Sequence, residues 1–288
     1  MNENTPSPAI TPGIYFDITD DDYHAGVGIS KSGLDKIHRS PAHYLASKQC
    51  KEEPTAAMIL GSAVHAAVLQ PDLFTALYTT EPDGINRRTK EGKEEYAAFL
   101  AENIGKRILS RNDYNIALSI RDVVSSHPKA SELIHPKGIE TFFESSIYWY
   151  DDFLLREMGL PEDFDLCKCR PDLLRGDLVV VDFKTTSDAR PSEFSRSVAN
   201  FRYHVQQAYY SKGMRKILSS EPEKFYFLCA ETKPPYAIAI YELDKEAVSA
   251  GYSAAYDDLK TYFRCKHADE WPGYTEEIRT LQLPRWAA

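Results

Sequence analysis

The chain has 288 residues, of which 43% are hydrophobic and 12% aromatic, spread along the whole sequence. This composition is typical of a soluble globular protein and argues against a disordered or fibrous one. The formal net charge of -9 excludes a protein that is basic over its whole surface, which is the usual profile of a nucleic-acid binder, although a local basic patch can still hold phosphates.

The cysteines give no sign of a disulfide framework. They are Cys50, Cys167, Cys169, Cys229 and Cys265. Their odd number and their spacing fit neither paired disulfides nor a zinc site, and Cys167 and Cys169 occupy alternate positions of a predicted strand, on one face. Residues 1–13 predict a flexible leader without the charge and apolar stretch of a signal peptide. No apolar run approaches the roughly 20 residues of a membrane span, so we expect a cytoplasmic protein.

From residue 14 to residue 288 we expect a single domain, whose first part, residues 14–130, has mainly helical spacing. Ser32 is predicted to cap a first helix, and Pro41 to begin a second one. Amphipathic helices are predicted near 91–104 and 113–126.

Residues 56–69 are apolar on nearly every side and predict a buried helix that ends before Pro71. The one ionisable residue in this segment is His65. A histidine in such a position is either a core residue with satisfied hydrogen bonds or a ligand, and the helical pattern leaves both alternatives open.

A polar loop over residues 83–93 brings Arg87, Arg88 and Lys90 together. Basic side chains between helices can bind the phosphates of a nucleic acid, or they can simply be solvated. We expect this loop to bind phosphate, with the solvated loop as the alternative.

The second part, residues 131–288, contains predicted strands separated by helices. Strands are predicted at 140–150, 165–173, 177–186, 225–231 and 236–242, and helices at about 191–217 and 244–264. The short turns between the first three strands favour a meander. This order predicts an α/β fold with a central mixed sheet flanked by helices.

The residues best suited to catalysis are Asp172, Asp182 and Lys184. Asp182 and Lys184 are two positions apart on a predicted strand, so both side chains point to the same face. Carboxylates that hold Mg²⁺, beside an ammonium group near the attacking water, are what phosphodiester hydrolysis requires. The alternative is an ordinary ion pair at the end of a strand.

Three more polar residues belong to the candidate site. Gln206 and Tyr210 are four residues apart on a predicted helix, and therefore lie on one face, where both can donate hydrogen bonds to phosphate or water. Glu144 opens a predicted strand, where it is either a solvated charge or a residue near the metal.

Several motifs together resemble a known family. They are residues 28–32 (GISKS), 61–65 (GSAVH), 86–89 (NRRT), 144–149 (ESSIYW), 170–172 (RPD), 182–186 (DFKTT), 203–210 (YHVQQAYY) and 283–287 (LPRWA). In this order, over roughly residues 13–287, they resemble the RecB-like branch of the PD-(D/E)xK nucleases and, within it, the nuclease domain of RecE-type exonucleases (exonuclease VIII).

The resemblance implies a role for each matching residue. His65, Asp172 and Asp182 are then expected to bind the metal, Mg²⁺ or in its place Mn²⁺, Lys184 to assist the nucleophilic water, and Gln206 and Tyr210 to support the site.

The resemblance also implies an activity. RecE-like enzymes digest linear double-stranded DNA from 5′ ends and leave 3′ single strands for an annealing protein of the RecT type, and they assemble as toroidal homo-tetramers. Two other functions are compatible with the residues: a structure-specific or single-strand endonuclease on the same fold, and a non-catalytic DNA-binding scaffold for recombination.

Overall fold

The structure is a computed structural model that describes residues 10–50 and 53–283. The helices within these ranges are α1 Asp20–Ala25, α2 Lys31–Arg39, α3 Pro41–Gln49, α4 Ala56–Leu69, α5 Pro71–Leu77, α6 Lys90–Glu102, α7 Arg111–Ser126, α8 Pro128–Ile134, α9 Asp152–Glu157, α10 Pro191–Asn200, α11 Tyr203–Leu218 and α12 Lys245–Ala268. The strands are β1 Gly13–Tyr15, β2 Tyr78–Thr80, β3 Arg107–Leu109, β4 Thr141–Phe143, β5 Ser146–Trp149, β6 Cys167–Cys169, β7 Leu173–Arg175, β8 Val179–Thr186, β9 Lys224–Glu231 and β10 Ile238–Tyr241.

The main sheet has five strands in the order β10-β9-β8-β7-β4. The central pair β8 and β9 is parallel, and the other neighbours are antiparallel. A second sheet has the order β1-β5-β6, and β2 pairs with β3 in parallel. The prediction of an α/β fold with a central mixed sheet flanked by helices is confirmed.

The first three strands predicted for this part of the chain are antiparallel neighbours, as a meander requires, but two of them each divide between the two sheets. The strand predicted at 140–150 becomes β4 and β5, separated by Glu144, whose backbone has a positive φ of 51°. The strand predicted at 165–173 becomes β6 and β7. Pro171 lies between them, and proline has no N–H to donate to a ladder.

β8 lies in the middle of the main sheet, with an apolar layer on each side. Val180 packs in the cluster that contains Val205 and Tyr209 of α11, while Val181 and Phe183 pack in the cluster that contains Val64 of α4. This alternation is what a strand buried on both faces requires. It directs Asp182 and Lys184 toward the α11 side.

In the first part of the chain the structure agrees with the helix predicted over 56–69 and with a helix that begins at Pro41. The helix before Pro41 is capped by Ser30, which accepts a hydrogen bond from the Gly33 N–H at 3.3 Å, so the predicted cap at Ser32 is wrong.

The predicted leader and the motif at residues 283–287 fall largely outside the described residues. Residues 1–9 and 284–288 are not described, whereas Gly13, the last residue of the predicted leader, begins β1 and pairs with Tyr148 of β5. Within residues 10–50 and 53–283, no helix is both long enough and apolar enough to cross a membrane.

Two further helix boundaries differ from the prediction. The helix predicted at 191–217 is interrupted at Arg202, which adopts the left-handed conformation with φ 56°, and α12 continues to Ala268 instead of ending near 264.

Helices α11 and α12 pack closely because α12 has a glycine at the contact. A methyl group on Gly251 would lie 2.1 Å from the carbonyl oxygen of His204. The backbone of α11 cannot make room for this methyl group unless the two helices move apart.

We therefore expect Gly251→Ala to lower the free energy of unfolding by about 1–3 kcal/mol or more, although alanine favours a helix over glycine. The matched control is Gly61→Ala in α4, where the new methyl group would meet Thr185 Oγ1 at 3.7 Å, an ordinary contact. This control should be neutral or stabilise by about 1 kcal/mol. Urea titration of both variants measures the difference, and equal midpoints would contradict the close-packing argument.

Candidate metal centre

Three potential metal ligands converge beside the end of β8. Suitable atoms of His65, Glu144 and Asp172 all lie within 4.8 Å of one another. His65 comes from α4, Glu144 from the bend between β4 and β5, and Asp172 from the segment before β7. The fold thus joins residues that are far apart in the sequence at one edge of the sheet.

Backbone and ring contacts fix two of these ligands. Asp172 Oδ2 accepts a 2.7 Å hydrogen bond from the Phe183 N–H and lies 3.6 Å from His65 Nδ1. The His65 ring packs edge-on against Phe183, with centroids 5.1 Å apart. The Glu144 N–H donates to the Asp172 carbonyl oxygen at 3.1 Å. Phe183 therefore positions both Asp172 and His65 although it carries no charge.

Asp182 adjoins this cluster from within the protein and is fully buried. Gln206 Nε2 donates to its Oδ1 at 2.5 Å, and Lys184 Nζ lies 2.5 Å from its Oδ2. That Oδ2 receives no properly aligned hydrogen bond from the described residues. A buried carboxylate oxygen normally has such a partner, so Oδ2 is suited to a cation.

The pKa values of the carboxylates in this cluster are raised, so a nearby positive charge would favour their ionised form. Burial raises the pKa of Asp182 to about 6, against the opposing effect of Lys184. Burial, followed by the negative charge of Asp172, raises the pKa of Glu144 to about 8. The pKa of Asp172 is raised too, again mainly by burial. A divalent cation reverses this effect, because it favours the ionised carboxylates.

His65 and Lys184 each have the protonation state that their expected role requires. Burial, and then the charge of Lys184, lowers the pKa of His65 to about 4, so its imidazole is neutral at pH 7 and free to bind a metal. For Lys184, burial opposes the charged form, but Asp182 and Asp172 outweigh it and raise the pKa above its ordinary value. Lys184 is therefore a permanent ammonium group and not a base.

The donors fit a divalent metal. Carboxylate oxygens suit Mg²⁺ and Mn²⁺, and the imidazole of His65 adds one nitrogen donor to them. The sequence predicted Asp182 as the third ligand beside His65 and Asp172. In the structure, the third residue of the group whose ligand atoms lie within 4.8 Å of one another is Glu144. Asp182 lies close enough to His65 and Asp172 for the charges to act on its pKa.

The supporting residues are also near. Gln206 binds Asp182 directly, and Tyr210, one turn further along α11, has a pKa raised well above normal by burial, with Asp182 and Asp172 among the smaller causes. Tyr203, to which the sequence analysis gave no role, places its ring 4.7 Å from Lys184 Nζ. In the sequence, the signal for this contact is that α11 begins with the aromatic residue Tyr203.

The basic loop makes contacts of its own. The Arg87 guanidinium pairs with Glu81 and lies 3.9 Å over the ring of Tyr96, while Arg88 and Lys90 are exposed. The contacts of Arg87 lie within this part of the chain, so binding of phosphate by the loop stays a prediction.

A mixed sheet whose central strand carries Asp182 and Lys184, with Asp172 just before the neighbouring strand β7, is the arrangement typical of the PD-(D/E)xK nucleases. Residues 30–284 match the family described as "PDDEXK-like domain of unknown function (DUF3799)", and the chain belongs to this family.

The fold is also similar to a solved structure. The crystal structure of a protein from Eubacterium rectale titled "Putative exonuclease" matches with a TM-score of 0.58 at 14% identity, over 93% of this chain and 94% of that one. At this identity the likeness shows the fold alone. No curated protein matches the sequence.

The raised pKa of Glu144 predicts how the metal-free protein responds to pH. An unfolded glutamate has a pKa of about 4.3, so the folded state holds the proton more tightly. The stability from this group is present at acidic pH and is lost as the pH rises to about 8. In EDTA, the free energy of unfolding should therefore fall between about pH 4.5 and pH 8, with Asp182 acting in the same direction up to about pH 6.

Urea titrations at pH 5, 6.5 and 8 measure this slope. Glu144→Gln should flatten it, whereas the exposed control Glu162→Gln should leave it as in the wild type. Parallel slopes for wild type and Glu144→Gln would show that Glu144 titrates normally.

Proposed function

We propose that this protein is a metal-dependent exodeoxyribonuclease that hydrolyses the phosphodiester bonds of linear double-stranded DNA. The observation that carries the proposal is the buried Asp182 carboxylate, which pairs with the ammonium group of Lys184 and lies close enough to Asp172 and His65 for their charges to act on its pKa. Hydrolysis of a phosphodiester needs both kinds of group within one small volume.

His65, Glu144, Asp172 and Asp182 would hold the metal. When bound, a divalent cation polarises the phosphoryl oxygen and acidifies a water molecule. Lys184 keeps its proton throughout, orients the attacking water and stabilises negative charge on the phosphate in the transition state. Gln206 fixes Asp182 by its 2.5 Å hydrogen bond to Oδ1, so that Oδ2 faces Lys184 and would be available to a metal ion.

The finer features of the proposal rest on the sequence motifs shared with RecE-type exonucleases. We propose digestion from 5′ ends, 3′ single-stranded products, a RecT-type annealing partner and a ring-shaped homo-tetramer. Exposed Arg88 and Lys90 are proposed to contact DNA phosphates. A ring with a basic lining is one way for a chain of net charge -9 to encircle DNA.

Digestion of linear duplex labelled at either the 5′ or the 3′ end tests the activity and its direction, with closed circular duplex as the control. Release of acid-soluble nucleotides from linear DNA alone supports the exonuclease. Cutting of closed circles or single strands would support the endonuclease alternative. Absence of cleavage with every substrate would support the non-catalytic scaffold.

The metal requirement is the next prediction. Activity should appear with Mg²⁺ or Mn²⁺, disappear in EDTA, and be suppressed by Ca²⁺, which binds oxygen ligands at longer distances with looser geometry. Asp172→Asn and Asp182→Asn should abolish cleavage while the protein stays folded by circular dichroism. Full activity in EDTA would contradict the metal mechanism.

Removal of the ammonium group should slow the chemical step. We expect Lys184→Ala to lower kcat by about 10²-fold or more, as expected for loss of a group that stabilises charge in the transition state. Lys224→Ala is the matched control, because Lys224 lies at the opposite end of the neighbouring strand β9 and pairs with Glu242 at the surface. Single-turnover rates of the two variants make the comparison, and similar rates would remove Lys184 from the mechanism.

A further inference from the structure

The break between α10 and α11 is held in place by ion pairs. Arg202 has φ 56° and ψ 44°, a conformation that residues with a side chain seldom adopt. Its guanidinium donates to Asp35 Oδ1 of α2 at 2.9 Å and to Asp258 Oδ2 of α12, whose side chain is buried. Two helices from opposite ends of the chain therefore hold this junction.

The two aromatic rings on either side of Arg202 stack on each other but differ in their surroundings. Tyr203 lies against the ammonium group of Lys184, at 4.7 Å, whereas Phe201 is 60% exposed. The two rings stack with centroids 5.7 Å apart and planes 26° apart. Phe201 is thus one ring removed from Lys184, on the solvent side.

Phe201 is also fixed through its backbone. Its carbonyl oxygen accepts a 2.6 Å hydrogen bond from Lys31 Nζ, and that ammonium group is held by Asp35 at 2.7 Å. Lys31 Nζ lies 6.0 Å from the centre of the Tyr203 ring. An exposed phenylalanine is common on protein surfaces, but this one is held in place beside two cations and a candidate metal centre.

We propose that the exposed face of Phe201 stacks on a nucleobase of the DNA strand that is being cleaved. The inference rests on the proposed function. The phosphate of a nucleotide belongs at Lys184 and the metal ligands, so a neighbouring base lies within reach of the ring beside them. Stacking accepts every base because each has a π face, which suits an enzyme that digests DNA of any sequence. Arg202 is the positioning residue of this contact.

Binding of a fluorescently labelled linear duplex to the uncleaving Asp182→Asn protein in Mg²⁺ tests the proposal. Adding Phe201→Ala should weaken the affinity by about 5- to 150-fold, the range found for loss of a base-stacking ring. Phe201→Trp should retain the affinity, and Phe201→Leu should lose it, because leucine is apolar without a π face. The salt dependence of the affinity should not change, since no phosphate contact is removed.

Phe153→Ala is the matched control. Phe153 of α9 is 64% exposed and lines a cavity of about 640 Å³. Lys212 and Lys216, from the C-terminal half of α11, line the same cavity. We expect it to bind DNA as the parent protein does.

A set of duplexes, each with one abasic position near the end, identifies the stacked base. At that position the base is already missing, so Phe201→Ala should cause no further loss, whereas at the other positions its effect should persist. Phe201→Ala in the otherwise wild-type enzyme should raise KM with little change in kcat.

The outcomes separate the two proposals. The stacking inference is overturned if the wild type cleaves DNA while Phe201→Ala binds DNA as tightly as Phe153→Ala. It is also overturned if Phe201→Leu binds DNA as tightly as the parent protein. In both cases the proposed nuclease activity is unaffected. If the wild type neither cleaves nor binds DNA in Mg²⁺, the proposed function fails and the stacking inference fails with it.

Discussion

The repulsion among carboxylates at the end of β8 is the constraint on which the rest of the structure depends. Asp172, Asp182 and Glu144 are brought together in a partly or fully buried volume, and burial raises the pKa of each. Lys184 is one permanent positive charge among three acidic groups, and it is not enough to neutralise them. The surrounding elements must therefore hold these residues in place against a force that tends to separate them or to keep them protonated.

Stable packing on both faces of the main sheet supplies that restraint. The apolar side chains of β8 contact α4 on one side and α11 on the other, so the two helices that bring His65 and Gln206 are anchored by hydrophobic contacts outside the site. Phe183 contributes both to the apolar packing and to the metal centre, because its ring packs against His65 and its N–H donates a hydrogen bond to Asp172. Rigid elements with buried apolar anchors are what a precise metal site requires.

Local sequence rules predicted which residues of the site share a face of one strand or of one helix. Strand alternation placed Asp182 and Lys184 on one face, and helical spacing placed Gln206 and Tyr210 together. The position of Glu144 beside Asp172 could not be predicted in this way, because it depends on a positive φ that ends β4 and on pairing with the segment before β7. The break at Arg202 was missed for a similar reason: its carboxylate partners lie 167 and 56 residues away in the sequence.

The ion pairs of Arg202 also set an order of events during synthesis of the chain. Each carboxylate of the metal centre, together with Lys184, precedes α11, whereas Asp258 belongs to α12, the last helix within the described residues. A nascent chain that has emerged only as far as β10 has all the acidic groups but lacks one of the two anchors that orient Tyr203 and Phe201. The side of the site that carries Phe201 is therefore completed only after α12 has been made, later than its acidic groups.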